Sequence, residues 1–367
     1  MESWKIRYRK SLCILLGIHT FILLLLLFGL YSEETVDKFP VFSKKEVVTT
    51  STNESLKGEK VIPGGSSVGI YIETEGALVL GTQSVKGMDG STYEPAKYIV
   101  ESGDYITKAN GVKVRNKEEL TQIVKEQGNS PMILELVRKN KKISVKIEPV
   151  LAKENGEYQL GVWVRDNSQG IGTLTYIKGN QFGGLGHGIH DIDTGGMMDV
   201  KGGYIFQSKI LSIKKGEKGK PGEMVGMVCY DFEKPYGMIT KNTNYGIFGN
   251  VTDELIKGIK QEEVEVGLKE EVKKGKAYIR SGISGTIEDY EIQITDVDAS
   301  NKNLEKGMII KITDPRLLKL TNGIVQGMSG TPILQNGKLI GAVTHVFVQD
   351  STKGYGTFIE NMLKQSK

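Results

Sequence analysis

From residue 61 to the C-terminus the chain is a succession of short apolar stretches broken by glycine-bearing turns, and that grammar restricts it to mostly β structure. Apolar clusters at 68–72, 77–80, 105–108, 132–137 and 143–147 are long enough for strands and too short for ordinary helices. One segment departs from this rule. Residues 117–126 set Leu120, Ile123 and Val124 on one face, which predicts a short amphipathic helix. Beyond residue 149 further strands are expected at 161–164, 172–176, 204–213, 224–230, 277–279, 290–297 and 308–312, with helical patterns only at 253–260 and 358–364. Short strands joined by irregular turns, in a chain with 46 glycines, predict a closed barrel or a pair of barrels.

The first thirty residues follow another pattern. Lys5, Arg7, Arg9 and Lys10 precede an apolar run at 12–30, which is close to the roughly 20 residues a helix needs to cross a bilayer. Basic residues before the run put the N-terminus in the cytoplasm and the rest outside. No small-residue cleavage site follows directly, so the run reads as an uncleaved signal anchor, residues 1–31. Residues 32–60, rich in Ser, Thr, Lys and Glu, read as a linker. The net charge of +4 is spread through interleaved Lys and Glu, which argues against a nucleic-acid partner. Of two cysteines, Cys13 lies in the apolar run and Cys229 reads as a buried small residue, so the body forms no internal disulfide and no thiolate zinc site.

Near the C-terminus stands GMSGTPILQNGKLIGAVTHVF, residues 327–347. Gly327 and Gly330 allow a sharp bend and close approach to Ser329, and Asn336-Gly337 between apolar runs predicts a hairpin behind it. A turn serine bonding its own backbone fits this pattern equally well. A nucleophilic serine needs a base. His187, His190 and His345 are the histidines of the body, and His187, between Gly186 and Gly188, has the room a base requires; His345 reads as structural and His190 as a brace. The stretch HGIHDID could also bind a metal, but its histidines are three apart rather than four and the glycines around them oppose a helix. For an orienting acid, Asp191, Asp193, Asp231 and Asp314 all stand open; Asp314 ends a strand, though Asp-Pro is equally a helix start.

Two resemblances narrow these readings. PAKYIVESGDYITKANGVKVRNKEELTQIV resembles the second half of a PDZ domain, with Gly103-Asp104 and Asn110-Gly111 in the matching places. It implies a PDZ domain at 61–150 whose carboxylate-binding loop is Val68, Gly69 and Ile70, taking peptides by strand addition; without that likeness the segment is a small α/β module with no ligand. GMSGTP and its hairpin are similar to the nucleophile motif of chymotrypsin-like proteases, with Met328 in place of the motif's Asp. Together with LGHGIHDIDTG and the N-terminal run, the chain resembles the SpoIVB serine peptidase family of endospore-forming bacteria. That likeness implies a chymotrypsin-like β-barrel domain at 151–367, a catalytic His187, Asp314 and Ser329, and an oxyanion hole at Gly327 and Ser329, with no cofactor and no metal. It also implies a forespore-membrane protein facing the intermembrane space. There it would cleave itself in trans and then a regulatory subunit of a membrane-embedded processing complex, leading to late mother-cell sigma factor activation. Two other classes compete: a tethered peptide-binding protein with an inactive barrel, and a housekeeping envelope protease, which carries its PDZ domain after the catalytic one.

Overall fold

The computed structural model describes residues 56–300 and 304–366. The expected anchor at 1–31 and most of the linker lie outside the described residues. No helix among those described is long and apolar enough to cross a membrane. Leu56, the first described residue, is already buried with Val61, Tyr176 and Phe248, so the expected linker ends before residue 60.

Strand β1 (Ser67–Thr82) is a single strand where the sequence suggests two. It bends at Gly76, whose φ of +93° and absent Cβ let it lie against the Ile106 carbonyl; a Cβ there would be 2.3 Å from that oxygen. Its second half enters a small module with β2 (Tyr105–Ala109), helix α1 (Lys117–Gln127), β3 (Met132–Arg138) and β4 (Lys141–Ile147). Helix α1 forms where the periodicity predicts it. The Asn116 side chain caps it by accepting from the Glu119 N–H at 2.8 Å, Gly128 ends it, and Leu120 and Val124 bury its apolar face against Leu134 and Leu136.

The chain returns along β5 (Val162–Lys178), which pairs antiparallel with nearly the whole of β1. Then follow β6 (Gln181–Gly184), β7 (Val200–Lys214), β8 (Gly222–Val228), β9 (Gly237–Thr243) and β10 (Gly246–Val251). Pairings run β1–β5–β6–β10–β9–β7 and back to β1, closing a six-stranded ring around Ile70, Ile72, Leu174, Phe182, Ile205 and Ile247. A second closed barrel follows from β11 (Gly275–Ser281), β12 (Glu288–Val297), β13 (Met308–Ile312), β14 (Pro332–Gln335), β15 (Lys338–Phe347) and β16 (Asp350–Phe358). Period-2 patterning builds it: Tyr290, Ile292 and Ile294 point into the core, while Asp289 before them and Gln293 between them face solvent. Helix α2 (Pro315–Thr321) joins β13 to the serine loop, and α3 (Ile359–Leu363) ends the chain.

Three expectations change. Val68, Gly69 and Ile70 form no carboxylate-binding loop: both edges of β1 are already taken there, by Ile171 and its neighbours on β5 and by Phe206 and its neighbours on β7, so no peptide strand can add. The expected boundary between 61–150 and 151–367 does not hold either. Residues 67–74 are a central strand of the first barrel, and the module is inserted between them and β5; the described residues fall in one compact unit. Cys229 is exposed, because 224–230 leaves the barrel as a ribbon with the outer part of β7. A fragment of residues 151–367 would therefore lack a barrel strand. It is expected to show no cooperative thermal transition by near-UV circular dichroism, whereas residues 56–367 should melt cooperatively; a sharp melt of the shorter fragment would overturn this account.

Candidate active site

Ser329 sits in a turn between the short strand Val325–Gln326 and β14. Met328, standing where chymotrypsin-like motifs carry an aspartate, is fully buried in the second-barrel core, so burial of an apolar side chain anchors the turn. The Gly330 N–H donates to the Val343 carbonyl and the Thr331 hydroxyl to the Met328 carbonyl. The Ser329 hydroxyl donates to the Thr344 carbonyl at 2.8 Å.

The need for Gly330 is steric. Its φ is +92°, and a Cβ would lie 2.3 Å from the Thr173 carbonyl oxygen and 2.4 Å from the Leu185 nitrogen, both backbone atoms that cannot yield. Leu185 and Gly186 are themselves left-handed and turn the chain from β6 into the HGIHDID loop. Between the two loops runs β5. The Thr173 N–H donates to the Ser329 carbonyl (3.0 Å) and its hydroxyl to the Gly327 carbonyl (2.8 Å), while the Thr175 hydroxyl reaches the Gly330 carbonyl (2.7 Å). From the other side the Leu185 N–H donates to the Thr173 carbonyl at 3.2 Å.

His187 and Ser329 consequently line one cleft of about 300 Å³, with Ile70, Ile171, Leu185 and Ile189. His187 Nδ1 lies 2.9 Å from the Gly188 carbonyl. That oxygen can only accept, so the bond places the proton on Nδ1 and leaves Nε2 with its lone pair. Burial pushes the His187 pKa below the ordinary histidine value, against the upward pull of the Gly188 carbonyl and the Glu305 charge. The ring packs on His345, centroids 4.8 Å apart; His345 is exposed, yet desolvation where the rings meet and the charge His187 can carry push it down to about 4. His190 is exposed and shares the Gly188 carbonyl at 3.2 Å.

Asp314 is not brought to His187. Its carboxylate caps α2 by accepting from the Arg316 N–H (2.8 Å), pairs with the Arg316 guanidinium (2.9 Å) and accepts from the Glu291 N–H (3.3 Å). The guanidinium holds its carboxyl below the usual range. Asp191 and Asp193 are also committed, since Arg165 on β5 pairs with both, and Asp191 accepts the N–H groups of Asp193 and Thr194. Among the described residues no group of three or more His, Cys, Asp or Glu side chains is placed to hold a metal ion.

Sequence reasoning misses the residues that hold these loops. Asn242 accepts from the Ile189 N–H and donates to the Ile189 and Met198 carbonyls, all at 2.9–3.0 Å, stapling the chain just after His187. Arg165, Thr173 and Thr175 do comparable work from β5. The only signal for the two threonines is their alternation in GTLTY, which places two hydroxyls on one face of a strand, and Arg165 has none.

The profile of the SpoIVB peptidase S55 family matches residues 156–363, more than half of the 367. No curated protein matches the chain. Among solved structures, the PDZ domain of the SdrC-like protein from Listeria monocytogenes is 16% identical, covering 24% of this chain and 87% of its own, with a TM-score of 0.20. That of the SdrC-like protein from Listeria innocua is 17% identical, covering 23% and 93%, with a TM-score of 0.19. The Rv3671c protease in its inactive form is 13% identical, covering 53% and 83%, with a TM-score of 0.29. At such scores neither fold nor function follows from the solved structures. The family match spans both the histidine and the serine loops, and on it the chain belongs to the SpoIVB peptidase S55 family and is a serine peptidase.

Proposed function

We propose that this is a chymotrypsin-like endopeptidase in which Ser329 is the nucleophile and His187 its base, and the observation that carries the reading is the cleft the two share. The Ser329 hydroxyl turns from the Thr344 carbonyl toward His187 Nε2, loses its proton there and attacks a peptide carbonyl. His187 then returns the proton to the leaving amine. Backbone N–H groups of Gly327 and Ser329 receive the developing oxyanion, each worth roughly 3 kcal/mol in comparable sites. Selecting the tautomer, elsewhere the work of an acid, falls to the Gly188 carbonyl. Asp314 acts at one remove by starting α2, the helix that leads into the serine loop.

The module from about residue 77 to 160 is read as a PDZ domain whose peptide-binding edge lies on β5. Leu160-Gly161-Val162 has the apolar-Gly-apolar form, and Val162–Arg165 is paired on one edge only, with β1. Helix α1 lies nearby, its Lys117 N–H donating to the Asp166 carboxylate at 2.9 Å. Family likeness extends the proposal to sporulation signalling. The chain is anchored in the forespore membrane by 1–31, works in the intermembrane space, cleaves itself in trans, and then cleaves a regulatory subunit of a membrane-embedded processing complex to trigger late mother-cell sigma factor activation. One observation favours the alternative of a tethered peptide-binding protein with an inactive barrel: the Ser329 hydroxyl rests on Thr344, not on His187.

Three outcomes are expected. A fluorophosphonate probe should label Ser329, and Ser329→Ala should abolish labelling and peptide cleavage with an unchanged melting temperature; an unlabelled but folded protein would favour the inactive-barrel alternative. Because burial depresses His187, kcat/KM should rise with pH through a midpoint below the reference value of about 6.5, and Asp314→Asn should leave that midpoint in place with less than tenfold loss in kcat. A loss on the order of 10⁴ would instead restore Asp314 as the orienting acid. Self-cleavage should fall before Leu56, which is buried, so N-terminal sequencing of a released form starting inside the first barrel would refute it.

A further inference from the structure

The cleft beside Ser329 has a chemical character that the catalytic pair does not require. Ile70, Ile171, Leu185 and Ile189 wall it, and no charged side chain lines it. Gln326, Gly327 and Ser329 close it from the serine loop, and of its polar side chains Gln169 is engaged elsewhere, its amide oxygen accepting from the Tyr230 hydroxyl at 2.8 Å. The four aliphatic walls come from β1, β5 and the two sides of the histidine loop, all in the first barrel. His187 stands in the same wall.

That position identifies which part of a substrate the cleft receives. His187 must deliver a proton to the nitrogen that leaves, so the residue carrying this nitrogen lies on the histidine side of Ser329. We infer that the cleft is the subsite for the residue immediately after the scissile bond, and that this peptidase selects an aliphatic side chain there: Leu, Ile, Val or Met rather than a charged residue. The inference rests on the assignment of His187 and Ser329 as the catalytic pair. An aliphatic side chain leaving water for these walls gains about 1.5–3 kcal/mol, whereas a carboxylate or ammonium would lose its hydration with no partner.

Gly170 gives a clean way to alter the subsite. It lies on β5, lines the cleft, and a Cβ built on it meets nothing within 4 Å. Valine at 170 would project into the open space, and a β-branched residue suits a strand. The test digests a proteome-derived peptide library with the full chain, reads cut sites by mass spectrometry, and runs fluorophosphonate labelling in parallel. Wild type should enrich Leu, Ile, Val and Met at the first position after the cut and deplete Asp, Glu and Lys. Gly170→Val should shift that position toward Gly and Ala, with the Leu-to-Ala preference falling by at least about tenfold, as expected for methylene-scale changes in an apolar pocket. Gly170→Ala, which removes less space, should fall between. A labelled enzyme with a flat profile, or with an unchanged profile in a folded Gly170→Val protein, overturns the subsite and leaves the peptidase assignment standing. Absence of both labelling and cleavage overturns the two together.

Discussion

The proposed active site depends on two backbones that touch where only glycine allows it. Gly330 lies within a Cβ's reach of the Thr173 carbonyl and the Leu185 nitrogen, so the loop that presents Ser329 and the loop that presents His187 are held as near neighbours by main-chain packing rather than by any bond between the catalytic side chains. Thr173 and Thr175 add directed hydrogen bonds from β5 to both flanks of the serine. Both threonines are almost completely buried, which removes competing water and makes an unpaired hydroxyl costly.

Strand β5 is the common member of nearly every functional contact. Its first residues offer an unpaired edge beside α1, Arg165 grips the acidic turn that follows His187, residues 168–171 line the cleft, and Thr173 and Thr175 fix the serine turn. Because β1 pairs with β5 along nearly its whole length, the module and the first barrel share a continuous ribbon with no linker between them. A peptide laid against residues 162–165 would therefore bear on the same backbone segment that carries Arg165.

Local features were legible in the sequence. The Asn336-Gly337 hairpin forms with both residues at positive φ, and helix α1 starts at its expected residue, because a turn type and an amphipathic face are specified within a few positions. What the sequence hid is non-local. Residues 68–70 pair with residues about a hundred positions away, and nothing near them says that a barrel strand precedes the inserted module. Asp314-Pro315 carried two readings at once, and the structure takes the helix cap, with Arg316 two residues on absorbing the carboxylate. Asn242 could not be seen because an amide stapling a distant loop leaves no period and no spacing.

A base held by a carbonyl differs from one held by a carboxylate. The Gly188 oxygen selects the tautomer as firmly as an acid would, but it carries only a partial charge, so it does less to stabilise the imidazolium formed during attack. Burial favours neutral His187, and the Gly188 carbonyl and the Glu305 charge both oppose it. On the proposed assignment, a base whose neutral form is favoured by burial is weakly basic, and the barrier to proton transfer is lowered less than in a site with a buried acid. Such a site depends more heavily on how well the substrate is positioned. On the readings proposed above, the uncharged aliphatic cleft beside His187 and the free edge of β5 serve as positioning surfaces, and both lie on the strand that frames the serine.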